Sequence, residues 1–322
     1  MIFFDFIYIL QPLLNLLILV ALGWVVGKVG HNSEELTRGL VYLLMRVTLP
    51  ALIVVSMQRS VSAELLWQSL ETLLWSLGFY ALIAVTFTLA KPILPVQPKN
   101  RNLLQFVILF GNVGFMGFPI MEVLFGRESL FFAAIFNLPF NFIIFTYGVI
   151  LLSQNRTQEG APSLRWREVF LTPIMISLFV SLTLFLAQIS LPPPVLSFLN
   201  LTGGITTPLS MITVGIMLSR VSVRQSLVQP DLWVMALGRL VIAPMAVLGA
   251  ALLVPVSLPT VWTAVILTAM PAAANTPILA LEHRGPHQEA SQVVLLTSLL
   301  VFITLPLILM VLRLVFADPV FR

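Results

Sequence analysis

Gly111-Asn112-Val113-Gly114-Phe115-Met116-Gly117-Phe118-Pro119 lies in the middle of one long apolar run, and Met270-Pro271-Ala272-Ala273-Ala274-Asn275-Thr276-Pro277 in the middle of another. Glycine weakens a helix through its conformational entropy, and proline removes a backbone N–H and collides with the turn before it. Glycine and proline at this density predict that both helices open, one near 102–126 and one near 259–282. The competing reading is two proline kinks packed closely through glycine. Backbone groups freed at mid-depth cost several kcal/mol each in lipid, so openings there must line an enclosed or wet cavity. Asn112 and Asn275 can satisfy such groups or a ligand, because an amide both donates and accepts. With Gly114, Gly117, Pro119, Pro271, Thr276 and Pro277 they form the candidate substrate-binding set.

The rest of the chain has to keep such runs out of water. Of 322 residues, 59% are hydrophobic and 9% charged, against about 25% charged in a soluble domain. Mean hydropathy is +1.03. A soluble enzyme, a disordered chain and a fibrous protein are thereby excluded. The net charge is +4, but the basic residues sit in short clusters between apolar runs and form no face for nucleic acid. There is no cysteine. His-Glu-x-x-His, Gly-x-Ser-x-Gly and paired intramembrane aspartates are all absent, so no catalytic residue, metal or cofactor is expected.

A membrane helix needs about 20 mostly apolar residues. Runs of that kind fall near 6–27, 37–57, 65–90, 102–126 and 129–153, then near 167–189, 195–219, 231–254, 259–282 and 289–315. The predicted fold class is an all-α membrane protein with ten transmembrane helices. Residues 1–153 form one set of five, 154–166 a polar cytoplasmic linker, and 167–322 the second set. Lys28, Arg38, Lys91, Lys99, Arg101, Arg156, Arg165, Arg167, Arg220, Arg224 and Arg284 then fall on one side, against Arg59, Arg127, Arg313 and Arg322 on the other. The positive-inside rule puts both termini outside. A bacterial cytoplasmic (inner) membrane is the expected location.

The two halves repeat. Thr48 and Pro50 recur as Thr206 and Pro208, Leu74-Trp75 as Leu232-Trp233, Val107-Ile108-Leu109 as Val265-Ile266-Leu267, and Pro119-Ile120 as Pro277-Ile278, all at one ungapped offset. Five spans is an odd number, so the copies are inverted, the signature of secondary transporters that bind near the midplane on discontinuous helices. Opened helices also expose N-terminal N–H groups, which favour an anion such as a carboxylate. The opposing carbonyl ends would serve a cation equally well.

Other residues carry two readings each. Arg46 and Arg239 lie inside spans, where a charge is a functional candidate by default. Arg46 either pairs with substrate or snorkels from a helix end, and Arg239 either pairs with substrate or caps carbonyls. Asn137 and Asn141 share one face of span 5, which either lines the cavity or joins two helices. Thr48 and Thr206 are expected to bond local backbone before their prolines. Gly23 and Gly27 suggest close helix packing or a homodimer contact. Glu71 and Glu122 fall near span ends, which argues against cation coupling through a buried carboxylate.

Gly-Asn-x-Gly-x-x-Gly-x-Pro in span 4, Pro-x-x-x-Asn-Thr-Pro in span 9 and Thr-Leu-Pro-Ala in span 2 resemble the auxin efflux carrier family of permeases, over nearly the whole chain. The resemblance implies two inverted five-helix repeats with helices 4 and 9 broken and crossing at the midplane, and one bundle moving against another. It also implies auxin export as in plants, or malate or malonate transport as in bacterial relatives. This chain lacks the long hydrophilic loop of the plant proteins and has Gly111-Asn112-Val113 where they carry Asn-Pro-Asn. The expected function is alternating-access transport of a small organic anion, with the lipid bilayer as the other partner. A sodium-coupled symporter of the related bile-acid type and a channel are the alternatives.

Overall fold

The computed structural model describes residues 2–30, 33–153 and 170–316. Among them every regular element is helical: α1 (Ile2–Val29), α2 (Glu34–Ser56), α3 (Ala63–Ala90), α4 (Arg101–Leu109), α5 (Val113–Phe125), α6 (Ser129–Leu152), α7 (Pro173–Leu186), α8 (Pro193–Leu218), α9 (Val223–Val228), α10 (Pro230–Leu253), α11 (Leu258–Thr268), α12 (Thr276–Glu282) and α13 (His287–Val315). Helix is what apolar sequence adopts when no water is at hand, because it satisfies its own backbone. Seven helices (α1, α2, α3, α6, α8, α10 and α13) are long and apolar enough to cross a membrane, and α5, α7 and α11 are shorter apolar helices. The expected run 102–126 is divided into α4 and α5, and 259–282 into α11 and α12. The linker 154–166 lies outside the described residues.

Prolines account for three of the four π-helical turns among the described residues; the fourth, Ile144–Gly148 in α6, has no proline after it. Pro50, Pro119 and Pro244 each follow a π-helical turn, Leu44–Thr48, Val113–Gly117 and Gly238–Ile242. A proline ring collides with the carbonyl four residues back. Here those carbonyls belong to Arg46, Phe115 and Leu240, inside the widened turns. Pro139 and Pro208 instead follow single turn residues, Asn137 and Ile205. This corrects the expected role of Thr48 and Thr206. Both hydroxyls are buried and bond nothing among the described residues; the loosened turn accommodates the proline without help from a side chain.

Packing sorts the helices into two groups. α1 lies along the second half of α8, and the second half of α2 packs on α7 and on the first half of α8. Elsewhere α11 packs on α3, α6 and α10, and α13 on α10 and α12. Close approach in the first group depends on glycine: a Cβ on Gly23 would stand 2.1 Å from the carbonyl oxygen of Ile212, and one on Gly215 2.0 Å from that of Val20. The Gly23/Gly27 spacing thus serves contact within the chain, against α8. Outward faces are apolar, as a lipid-facing surface requires. Trp67, Leu74, Leu82, Val85 and Leu89 form such a stripe along α3.

Candidate functional site

The two helix interruptions meet. α4 ends at Leu109, Phe110 is extended, and α5 begins at Val113. α11 ends at Thr268, and α12 begins at Thr276. Gly111 and Ala272 form an antiparallel bridge, in which Asn112 N donates to Pro271 O at 2.7 Å and Ala273 N donates to Phe110 O at 3.0 Å. Backbone groups freed by one break are thus paired with those freed by the other. From α13, Thr297 Oγ1 accepts a further bond from Ala272 N at 3.1 Å. An aromatic wall covers the break, with Phe106, Phe140 and Tyr80 at ring-centroid distances of 4.7, 5.7 and 6.0 Å from Phe110.

Arg239 of α10 organises the crossing. It is 1% exposed. Its Nε donates to Met270 O at 2.7 Å, Nη1 to Ile108 O at 2.7 Å and Nη2 to Leu267 O at 3.1 Å. One guanidinium therefore caps the carbonyl ends of both α4 and α11. The five-donor fork of arginine suits this task where a lysine could not span the three oxygens. The same contact explains Gly111, since a Cβ there would stand 1.7 Å from Nη2. Of the two sequence readings of Arg239, carbonyl capping is the one realised. Its partners lie far away in the chain, so no local pattern announced them.

Asn112 sits at the N-terminus of α5, 3% exposed. Its Oδ1 accepts from Phe115 N at 3.2 Å, which orients the amide. Nδ2 points away from that cap and has no partner among the described residues. Gly114 faces α2, with Leu49 Cδ2 3.8 Å from its Cβ position, and Gly117 is wedged against Leu267 and Val113. Pro119 follows the π-turn. On the other break Pro271 supplies its carbonyl to Asn112, Thr276 Oγ1 donates to Ala273 O at 2.5 Å, and Pro277 lies in the first turn of α12. Asn275 is half-buried, and its side chain does not cap α12.

Among the described residues none of the remaining candidates makes a hydrogen bond to this cluster. Asn137 is buried, its Oδ1 without a partner among the described residues, and Asn141 Nδ2 donates to the Asn137 carbonyl at 3.1 Å along the same helix. α6 reaches the break through the Phe140 ring. Arg46 is exposed on α2, with its guanidinium over the Tyr42 ring at 4.8 Å. Neighbouring Tyr42 and Val47 are exposed as well. Thr48 and Thr206, the latter on the part of α8 that packs on the start of α5, hold buried hydroxyls without partners among the described residues, where a bond to local backbone was expected.

Several carboxylates are engaged by hydrogen bonds between elements. Glu71 accepts from Ser257 N at 3.0 Å, Glu122 from Thr207 Oγ1 at 2.6 Å, and Asp231 from Gln97 N at 3.1 Å and Asn100 Nδ2 at 2.8 Å. Lys99 bonds Glu289 at 2.8 Å, and this hydrogen bond raises the Lys99 pKa above its usual value. No group of His, Asp and Glu among the described residues is arranged to hold a metal ion.

Apolar helices with two interruptions joined at their breaks describe a multi-pass membrane transporter. The family model for the membrane transport protein matches residues 8–309, and the chain belongs to this family, that of the auxin efflux carriers and related permeases. It is 28% identical over 305 residues to an uncharacterized transporter of Methanothermobacter thermautotrophicus, covering 92% of this chain and 96% of the relative. It is 26% identical over 216 residues to an uncharacterized transporter of Methanocaldococcus jannaschii, covering 65% of this chain and 69% of that protein.

Proposed function

We propose that this chain is a secondary carrier for a small organic anion, a carboxylate such as malonate, malate or an auxin-like acid. It has ten spans in two inverted five-helix repeats, residues 1–153 and 167–322, joined by the linker 154–166. Both termini lie outside the bacterial cytoplasmic (inner) membrane. One group of helices (α1, α2, α7 and α8) serves as the scaffold. The other, centred on the crossed pairs α4/α5 and α11/α12, carries the substrate by alternating access.

The observation that carries the choice of an anion is the position of Arg239. A helix break offers a negative carbonyl end and a positive N–H end. Arg239 occupies the carbonyl ends, through Ile108, Leu267 and Met270. Those are the oxygens a sodium ion would need. What remains without a partner among the described residues is Nδ2 of Asn112, 3% exposed, at the start of α5, whose own N–H groups at Asn112, Val113 and Phe115 are already bonded. Donors beside a buried cation suit a carboxylate. Asn112 binds it directly, Asn275 frames it from the second break, and Gly114, Gly117, Pro119, Pro271, Thr276 and Pro277 keep the backbone open. Asn137 and Asn141 border the site on α6, and Arg46 attracts the anion towards α2.

The deciding measurement is charge movement in proteoliposomes after rapid addition of malonate, malate, acetate or indole-3-acetate, with and without sodium. A saturable current without sodium is the expected result. A current that requires sodium would make the protein a symporter, and one that does not saturate would make it a channel. Silence for all four would remove the substrate class.

A further inference from the structure

We propose that Arg239 is the fixed countercharge of the transport cycle: the crossed unit is electrically neutral when it holds a monocarboxylate and carries one positive charge when empty. This rests on the anion-carrier reading above. A guanidinium keeps its proton in proteins. Arg239 is 1% exposed, and its three hydrogen bonds all go to neutral carbonyls. Among the described residues no carboxylate faces it. Glu71, Glu122 and Asp231 are held by Ser257, Thr207 and Asn100, and Glu289 by Lys99. The carbonyls satisfy the donors of Arg239 but leave its net charge uncancelled.

The open amide of Asn112 lies next to Gly111, over which the guanidinium stands. An anion bound there is one residue from the cation and cancels it without touching it. A charge that crosses the membrane field responds to voltage, whereas a neutral unit does not. Voltage therefore acts on the return of the empty carrier, and exchange of one monocarboxylate for another escapes it.

The test uses the full-length protein in proteoliposomes, with potentials set by potassium gradients and valinomycin. Lactate and indole-3-acetate serve as monocarboxylates, malonate and malate as dicarboxylates, and protein-free liposomes as the blank. One charge crossing the whole field is worth up to about tenfold in rate per 60 mV. Net lactate or indole-3-acetate flux should approach that dependence. Homoexchange of the same labelled anion should change by less than about twofold over the same range. Exchange as steep as net flux overturns the proposal.

Should flux be confined to dicarboxylates, the loaded unit carries one negative charge, and loaded and empty steps respond with opposite sign; equal sign overturns the proposal. Arg239→Gln separates countercharge from mere support, because a purely structural role slows exchange and net flux alike. Countercharge loss instead makes monocarboxylate exchange voltage-sensitive, and an Arg239→Gln protein whose exchange stays flat overturns the assignment. If the variant fails to assemble, the wild-type comparison decides alone. No flux of any of the four anions above the blank removes the carrier reading itself, and this inference with it.

Discussion

Asn112 performs two tasks with one side chain, and substitutions can divide them. Its oxygen caps α5 at Phe115 N, and its nitrogen is the open donor. Serine retains a capping oxygen and loses the amide. Asn112→Ser should therefore leave thermal stability in detergent near wild type and raise KM by roughly ten- to a hundred-fold, the worth of a hydrogen bond to a charged group. Asn112→Ala loses the cap as well, about 1 kcal/mol of it, and should cut transport while inserting normally. Full transport by both Asn112→Ala and Asn275→Ala would end the site assignment. Glycine provides a sharper contrast. A methyl on Gly111 meets the Arg239 guanidinium at 1.7 Å, whereas one on Gly39 or Gly78 meets nothing within 4 Å. Gly111→Ala should lower stability by at least about 1–3 kcal/mol, the cost of overpacking. Gly39→Ala and Gly78→Ala should be neutral or slightly stabilising, read by melting in detergent.

The broken helices were legible as elements, but their partnership was not. Glycine and proline density located both openings, because these residues act through the local backbone. That Phe110 and Asn112 would pair with Ala273 and Pro271 is a long-range fact, and no local rule carries it. Arg239 shows the same limit: its place inside a span was plain, while its burial and its three carbonyl partners required the fold. Thr48 and Thr206 were misjudged because the rule for hydroxyls before proline assumes an intact helical turn, and here the turns are loosened. The π-turns themselves make a prediction. Pro119→Ala restores the missing N–H and removes the clash that favours the wide turn. It should allow Val113–Gly117 to tighten, shift Asn112, and reduce transport with little loss of stability; unchanged kinetics would show that the turn width is set elsewhere.

At the scale of the molecule, the proposed alternating-access cycle moves α5 relative to α2 and α8. Across that boundary Leu49 Cδ2 stands 3.8 Å from the position a Cβ on Gly114 would take. The chain has no native cysteine, so an introduced pair has no background. Leu49→Cys with Gly114→Cys, bridged by a short thiol-specific crosslinker, should arrest exchange, and each single variant treated alike should not. Continued exchange by the crosslinked protein would mean that the two groups of helices do not slide. The apolar stripe along α3, by contrast, faces lipid and should tolerate Leu74→Val without measurable effect on flux.

The antiparallel bridge between Gly111 and Ala272 also constrains how the protein is made. When α4 and α5 leave the ribosome, Phe110 O and Asn112 N have no partners, because these lie in Pro271 and Ala273, still to be synthesised. At about 5–20 residues per second the break waits on the order of ten to thirty seconds for them. The first half is thus born with an unfinished seam, and the insertion machinery or a quality-control protease meets it in that state. A gene cut within the linker would give two fragments that accumulate only when produced together, each completing the backbone of the other.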